Sequence, residues 1–363
     1  MLVAGGGTGG HLFPGIAVAQ EFVSRSLQHR AVFVSRGNEF ERRALANVDF
    51  PLQTIPVEGI KGRGLWAKIR SSLRLPVSVT KSIWILNRFR PDLVLSVGSY
   101  AAGPVGLAAH LTGRILVLHE QNLRPGVTNR MLARWARRIY VTFEESKAFF
   151  EPDRVRHTGN PVRSQILQVR EAQSPVEEHR RLSVLIVGGS QGAHALNSAM
   201  IEATALLAGR EDVRFTHQTG AVDAYRVREA YESFDLPCTV QAFFDDMERR
   251  YRDADLILCR AGASTVAEIT AVGKAALFVP FPFAADNHQV LNARALVERG
   301  AAEMIEQKDL SGAALAERIS HYAANRSILA EMAAKARGLG RPHAAREIVD
   351  DMLGLLDAGP RRI

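Results

Sequence analysis

A histidine closing a glycine run, a second glycine loop, and a carboxylate behind a cluster of small residues are the groups in this chain best suited to chemistry. The first run, Gly5-Gly6-Gly7-Thr8-Gly9-Gly10-His11, follows a short apolar segment and leads into a stretch of helical period. Glycines there permit a sharp turn, and backbone amides at a helix N-terminus attract anionic oxygens. The run also satisfies GxGxxG, and the strand expected after its helix ends at Ser35-Arg36, where an arginine would meet a 2′-phosphate. A nicotinamide dinucleotide is therefore one ligand the motif admits. A second loop, Gly188-Gly189-Ser190-Gln191-Gly192-Ala193, again joins an apolar run to a helical one. One dinucleotide leaves that loop unexplained, whereas two facing ligands use both. The third cluster, Arg260 to Glu268, follows the apolar run Leu256 to Cys259 and so lies at the carboxyl edge of a sheet, where open α/β folds bind ligands. Small residues there let the backbone approach a nucleotide, and the Glu268 carboxylate can accept from both hydroxyls of a ribose. The competing account of Glu268 is an acid favoured by the helix dipole, worth only about 0.3–1 kcal/mol.

His11 is the natural proton acceptor, since an imidazole with an ordinary pKa of about 6.5 is neutral at cytosolic pH. The obvious metal motif, Asp253-Ala254-Asp255, immediately precedes its strand, at the amino edge, and reads as a solvated lead-in, so no metal site is expected. The two cysteines, Cys238 and Cys259, have no CxxC spacing and are too few for a disulfide framework, which suits a reducing compartment.

The elements that must position these groups alternate short apolar runs with longer helical segments, the pattern of βαβ units around a parallel sheet. In the first half, Ala31 to Ser35, Leu93 to Val97 and Ile115 to Leu118 read as buried strands, with helices near Pro14 to Ser26, Ala101 to Leu111 and Thr128 to Trp135. In the second, Ser183 to Val187, Val213 to His217, Leu256 to Cys259 and Ala276 to Val279 read as strands, with helices near His194 to Leu207, Ser264 to Val272 and Asn287 to Glu298. The expected class is α/β with two Rossmann-like domains, 1–160 and 161–340, joined through the polar stretch Gln165 to Arg181. A helical tail from Arg341 to Leu356 either caps the second half or returns to the first.

At 363 residues the chain has room for two full cores, and its 47% apolar and 23% charged composition is that of a folded globular protein. No basic and apolar leader opens it, and no apolar stretch is long enough to span a bilayer, so a cytosolic protein is expected. The first strand is short enough to suggest that a few upstream residues are missing, which would weaken the first domain. A formal charge of +8 asks for a polyanionic neighbour. Nucleic acid is set aside because basic residues are dispersed and no RNP, KH or zinc-ligand motif occurs. Between Lys61 and Leu75, by contrast, Leu65, Trp66, Ile69 and Leu73 form one helical stripe interleaved with Lys68, Arg70 and Arg74, which suits a peripheral patch on an anionic membrane as well as it suits a solvated basic helix.

The glycine run through His11-Leu12-Phe13-Pro14-Gly15, with His119-Glu120-Gln121-Asn122, Gly159-Asn160-Pro161-Val162-Arg163, Gly189-Ser190-Gln191-Gly192-Ala193, the Arg260 to Glu268 cluster and Gln289 to Ala293, resembles the MurG family of peptidoglycan glycosyltransferases. The likeness runs in order over nearly the whole chain. It implies a GT-B fold and the inverting transfer of N-acetylglucosamine from UDP-N-acetylglucosamine to the C4 hydroxyl of undecaprenyl-diphosphate-linked N-acetylmuramoyl-pentapeptide, at the cytoplasmic face of the bacterial inner membrane. The nearest rivals are a UDP-sugar epimerase or another transferase of the same architecture.

By the same resemblance, Ser190, Gln191 and Gly192 would hold the donor diphosphate, and Phe244 would face uracil through its backbone. Ala263, Ser264, Thr265, Val266 and Ala267 would line the nucleotide, and Glu268 would bind its ribose. Arg163 would close on it from the domain junction, while His288, Gln289 and Asn292 would lie at the transferred sugar. Thr8, Gly9, Gly10 and Asn122 would line the other side, with His11 as catalytic base and no cofactor or metal. Two positions depart from the family pattern: His288 stands where paired glutamines are usual, and Ser99 where a glycine precedes Tyr100.

Overall fold

The computed structural model describes residues 1–57, 65–171, 181–189 and 192–358, and of residues 65–74 and 171 the backbone alone. The chain divides into two compact units, Met1–Arg163 with Arg341–Ile363, and Ser164–Gly340.

The first unit runs β1 (Leu2–Ala4), α1 (Gly9–Ser24), β2 (Val32–Ser35), α2 (Glu39–Ala46), β3 (Leu52–Thr54), α3 (Leu65–Phe89), β4 (Leu93–Ser96), α4 (Ala102–Leu111), β5 (Ile115–Glu120), α5 (Val127–Leu132), β6 (Arg138–Val141) and β7 (Val155–His157). All seven strands are parallel, in the order β3-β2-β1-β4-β5-β6-β7, with Val3 opposite both Phe33 and Leu95. Strand side chains alternate between two cores. Val3, Phe33, Leu95 and Val117 face α1, whereas Leu2, Val34, Val94 and Leu118 face the side of Ile85, Val105 and Ala108 on α3 and α4. Helices on both faces explain why the central strands read as unbroken apolar runs.

The second unit runs α6 (Ser164–Glu171), β8 (Leu182–Val187), α7 (His194–Leu206), β9 (Val213–Gln218), α8 (Ala224–Ser233), β10 (Cys238–Gln241), α9 (Met247–Asp253), β11 (Leu256–Cys259), α10 (Ala263–Val272), β12 (Ala275–Phe278), α11 (His288–Val297), β13 (Glu303–Met304), α12 (Gly312–Ala324) and α13 (Arg326–Leu339). Its parallel sheet has the order β10-β9-β8-β11-β12-β13. In both sheets the order reverses beside the first strand, β1 against β4 and β8 against β11, which is where open α/β sheets leave a crevice at their carboxyl edge.

The structure corrects two expectations and decides between the two placements left open for the tail. The start of the stretch read as a linker is helix α6, because Ile166 and Val169 are buried and Arg170 donates to the carbonyl of Ala271 at 2.8 Å. Helix α1 begins at Gly9 rather than Pro14, which sits in its second turn and removes one helical hydrogen bond there. The tail helix α14 (Ala344–Asp357) belongs to the first unit: Ile348, Val349, Met352 and Leu355 enter the core beside α1. Asp351 accepts from Arg138 Nε and from the Tyr140 hydroxyl, both at 2.8 Å.

Candidate active site

His11 lies in the first turn of α1, half-buried, where the chain leaves β1. Its Nδ1 is 2.9 Å from the Val97 carbonyl oxygen, just past β4, and 3.0 Å from Gln121 Oε1, just past β5. Gln121 Nε2 is 3.0 Å from that same carbonyl and 3.1 Å from His119 Nδ1. Burial holds the His119 pKa down at about 4. Gly98, with φ +81°, packs on the imidazole, and a Cβ there would stand 3.4 Å from ring atoms Cε1 and Nδ1. The sheet's reversal point thus presents an imidazole that follows β1 and is clamped by atoms following β4 and β5.

The glycine run is held otherwise than its motif suggests. Gly6 N–H donates to Ser99 Oγ at 3.1 Å and Gly7 N–H to Glu41 Oε1 at 2.6 Å, while Gly37 and Asn38 donate to Glu41 Oε2 at 2.7 and 2.8 Å. Glu41 is fully buried, so a carboxylate is already built where a pyrophosphate would dock against Gly6 and Gly7. A second anion there would be repelled, which removes the basis of the nicotinamide reading and leaves Thr8, Gly9 and Gly10 as the part of the run that opens α1. Asn38-x-x-Glu41 is legible as a capping box, and the box is formed, yet nothing in the sequence announces its reach to Gly7. Ser99 has φ +74°, the left-handed conformation a glycine takes freely, and its hydroxyl is what meets Gly6. Asn122 sits on a turn ordered by the buried Glu120, whose Oε1 accepts the Asn122 N–H at 3.0 Å and whose Oε2 accepts from Gly126 N–H at 3.0 Å and Asn129 Nδ2 at 2.9 Å. The Arg163 guanidinium lies 4.5 Å from the centroid of the Phe13 ring.

In the second unit, Ser190 and Gln191 lie outside the described residues. Gly192, the next described residue, has φ +74°, and a Cβ there would stand 2.4 Å from the Thr219 carbonyl oxygen. Gln218, which sequence reasoning passed over, braces the site by donating from Nε2 to Gly189 O at 3.2 Å and accepting the Phe244 N–H at Oε1, 3.0 Å. Phe244 is buried with the Arg250 guanidinium 4.4 Å from its ring centroid, so Gln218 already engages its backbone N–H.

Helix α10 starts from Gly262 as N-cap, with Ser264 and Thr265 half-buried in its first turn and Val266 and Ala267 buried. Glu268 lies beyond the first turn, 7% exposed, with Oε2 accepting from the Tyr251 hydroxyl at 3.0 Å. That position weakens the dipole account, which acts within the first turn. Gln289 Oε1 accepts the Phe281 N–H at 2.9 Å, buried Asn292 donates to Ala261 O at 3.4 Å, and His288 Nδ1 is 2.6 Å from Ala285 O. Asp286 and Asn287, which open α11, both have positive φ, 52° and 56°. Two consecutive left-handed residues without glycine cost about 1–3 kcal/mol each, strain of a kind that gathers at functional sites. Residues 261–268 and 281–292 therefore meet at the carboxyl edge of β11 and β12.

The Asp-Ala-Asp motif serves the fold. Asp255 Oδ2 accepts from Ser183 N–H at 2.8 Å and from Arg326 Nη2 at 3.0 Å where β11 begins, and Asp253 pairs with Arg249 at 3.7 Å. Among the described residues no group of three or more His, Cys, Asp or Glu is placed to hold a metal ion. Lys61 and Arg63 lie outside the described residues, as do the side chains of Leu65, Trp66, Lys68, Ile69, Arg70, Leu73 and Arg74, though positions 65–74 are helical. Further along α3, Leu75, Val77, Trp84 and Phe89 are exposed, and the Arg88 guanidinium lies 5.1 Å from the Trp84 ring. Among the described residues no helix is long and apolar enough to cross a membrane.

The glycosyltransferase family 28 N-terminal domain model matches residues 1–141 and the family 28 C-terminal domain model residues 183–350. The chain is 46% identical over 354 residues, 97% of either chain, to the UDP-N-acetylglucosamine–N-acetylmuramyl-(pentapeptide) pyrophosphoryl-undecaprenol N-acetylglucosamine transferase of Geotalea uraniireducens (strain Rf4). It superposes on the crystal structure of Acinetobacter baumannii MurG with a TM-score of 0.76 at 32% identity, covering 98% of this chain and 99% of that one. A UDP-GlcNAc 2-epimerase from Neisseria meningitidis, bound to UDP-GlcNAc, shares the fold at a TM-score of 0.70 but only 14% identity, over 98% and 99% of the two chains. The two parallel sheets are thus those of a GT-B glycosyltransferase, and with full-length identity on one side and fold alone on the other, the chain belongs to the MurG family of glycosyltransferase family 28.

Proposed function

We infer that this protein transfers N-acetylglucosamine from UDP-N-acetylglucosamine to the C4 hydroxyl of undecaprenyl-diphosphate-linked N-acetylmuramoyl-pentapeptide, converting lipid I to lipid II. The observation that carries the reading is likeness to a transferase of that name over 97% of the chain. His11, clamped at the reversal point of the first sheet, supports it. In this mechanism His11 Nε2 takes the hydroxyl proton while the acceptor oxygen bonds to the sugar's C1 from the face opposite the diphosphate. The C1–O bond to UDP breaks with inversion, and the pair of electrons leaves on the β-phosphate oxygen. The N-terminus of α7, with Ser190, Gln191 and Gly192, meets that charge, with Arg163 as a further cation and no metal in the step. Glu268, oriented by Tyr251, holds the ribose, and Gln289 and Asn292 lie at the sugar. Thr8, Gly9, Gly10 and Asn122, from the first unit, complete the donor-binding set.

Incubation with labelled UDP-N-acetylglucosamine and a lipid-linked muramoyl acceptor in excess chelator tests this. Labelled lipid product is expected, whereas epimerised UDP-sugar formed without acceptor would overturn it. His11→Ala should lower kcat by about 10²- to 10⁴-fold with UDP affinity nearly intact. Weakened UDP binding with normal turnover would remove His11 from the base role.

A further inference from the structure

The groups around His11 settle which of its nitrogens carries the proton. The Val97 carbonyl oxygen can only accept, and it stands 2.9 Å from His11 Nδ1 and 3.0 Å from the Gln121 amide. Turning that amide over would set two acceptor oxygens at hydrogen-bond distance with no proton between them, so Nε2 faces Val97 and Oε1 faces His11. Gln121 Nε2 is also 3.1 Å from His119 Nδ1, which must then accept, and the remaining His119 proton sits on Nε2, directed at the Gly159 carbonyl 3.3 Å away. Gln121 and His119 are each 1% exposed, so bulk water does not compete for these bonds. Burial keeps His119 singly protonated down to about pH 4, which preserves the direction of every bond in the series. Gly159 is fixed in turn: its φ is +85°, and a Cβ there would stand 2.4 Å from that of Arg341.

We propose that Gln121 is a positioning residue which, oriented from His119 and acting with the Val97 carbonyl, locks His11 in the Nδ1–H tautomer and so leaves Nε2 as its basic nitrogen. The functional part of this rests on the reading of His11 as the general base. Two oxygens, Val97 O and Gln121 Oε1, share one Nδ1 proton, which restrains both the tautomer and the ring plane. Partners that fix a functional imidazole in this way are typically worth about 10- to 100-fold in activity, as at metal-bound histidines.

The first test needs no variant of the relay. In the intact enzyme labelled with ¹⁵N-histidine, long-range ¹H–¹⁵N correlation at slightly alkaline pH should show His11, identified by its loss in His11→Ala, as the Nδ1–H tautomer. An Nε2–H pattern overturns the proposal. Gln121→Met, of similar volume without hydrogen-bonding groups, should lower kcat by about 10- to 100-fold with the KM for UDP-N-acetylglucosamine within about twofold. In a His11→Ala background the same change should have no further effect on kcat, because Gln121 acts through His11. An undiminished effect there would show that Gln121 works independently, against the proposal. Full turnover in His11→Ala alone would sink the base reading instead, and the tautomer spectrum separates that failure from this one.

Discussion

Ser99 shows how a side chain can stand in a conformation that suits glycine. Its φ of +74° lies where an L-residue is strained by about 1 kcal/mol or more, yet its hydroxyl accepts the Gly6 N–H at 3.1 Å, so strain and hydrogen bond roughly offset. Ser99→Gly should therefore stay within about 1 kcal/mol of the parent in urea unfolding, while Ser99→Val, β-branched and without the acceptor, should lose about 2–4 kcal/mol. Equal stability of the valine variant would show that the hydroxyl and the backbone geometry are both unimportant. Glu41 makes a related point about motifs. GxGxxG describes a backbone that can turn and donate, but the acceptor of the Gly7 N–H is a carboxylate from 34 residues further on, a contact that spacing within the motif cannot encode.

Helix α14 shows what a single element contributes. Its apolar residues at positions 348, 349, 352 and 355 form one stripe, and Met352 is fully buried in the core beside α1. Met352→Ala should lower stability by about 2–5 kcal/mol, because it removes buried methylenes and leaves a cavity. A urea midpoint like the parent's would mean that α14 is only loosely seated. Legibility in the sequence followed the same physics. Central strands buried on both faces are readable to within a residue or two, Leu256–Cys259 with no boundary error, whereas Leu52–Thr54, Val155–His157, Cys238–Gln241 and Glu303–Met304 are short, partly polar and sit at sheet edges. The α12–α13 pair went unread, and the polar segment at Ser164–Glu171 hid a helix because only Ile166 and Val169 mark its inner face. At the candidate site, residue type and spacing are enough to propose His11 and Glu268. Gln218, Tyr251 and Glu41 were not, since each acts through a partner distant in sequence.

Across the molecule, each unit carries a fully buried histidine held neutral, His119 at about 4 in the first and His217 at about 3 in the second, against an ordinary value of 6.5, and burial lowers the half-buried His157 in the same direction. Between those values the unfolded chain takes up a proton that the folded chain refuses. Their full stability is present above about pH 6.5 and is lost on acidification, at up to about 1.4 kcal/mol per pH unit for each histidine. The urea midpoint should fall between about pH 7 and pH 5, and His217→Gln should flatten that fall; a pH-independent midpoint would contradict the assignment. The net charge of +8 and the exposed Val77, Lys81, Trp84, Arg88 and Phe89 on α3 support a proposed peripheral seat on an anionic membrane. Each basic residue near such a surface contributes about 1 kcal/mol. Co-sedimentation with anionic vesicles should weaken in high salt and with Trp84→Ala, and pelleting indifferent to lipid charge would count against it. The return of α14 to the first unit also has a consequence during synthesis. The ribosome delivers the N-terminal sheet early, but Ile348, Val349, Met352 and Leu355, which cover α1, are made only after the entire second unit. The apolar flank of α1 on a nascent chain must therefore wait, uncovered, through the translation of most of the message, which makes this flank the natural place for a chaperone to hold the growing polypeptide.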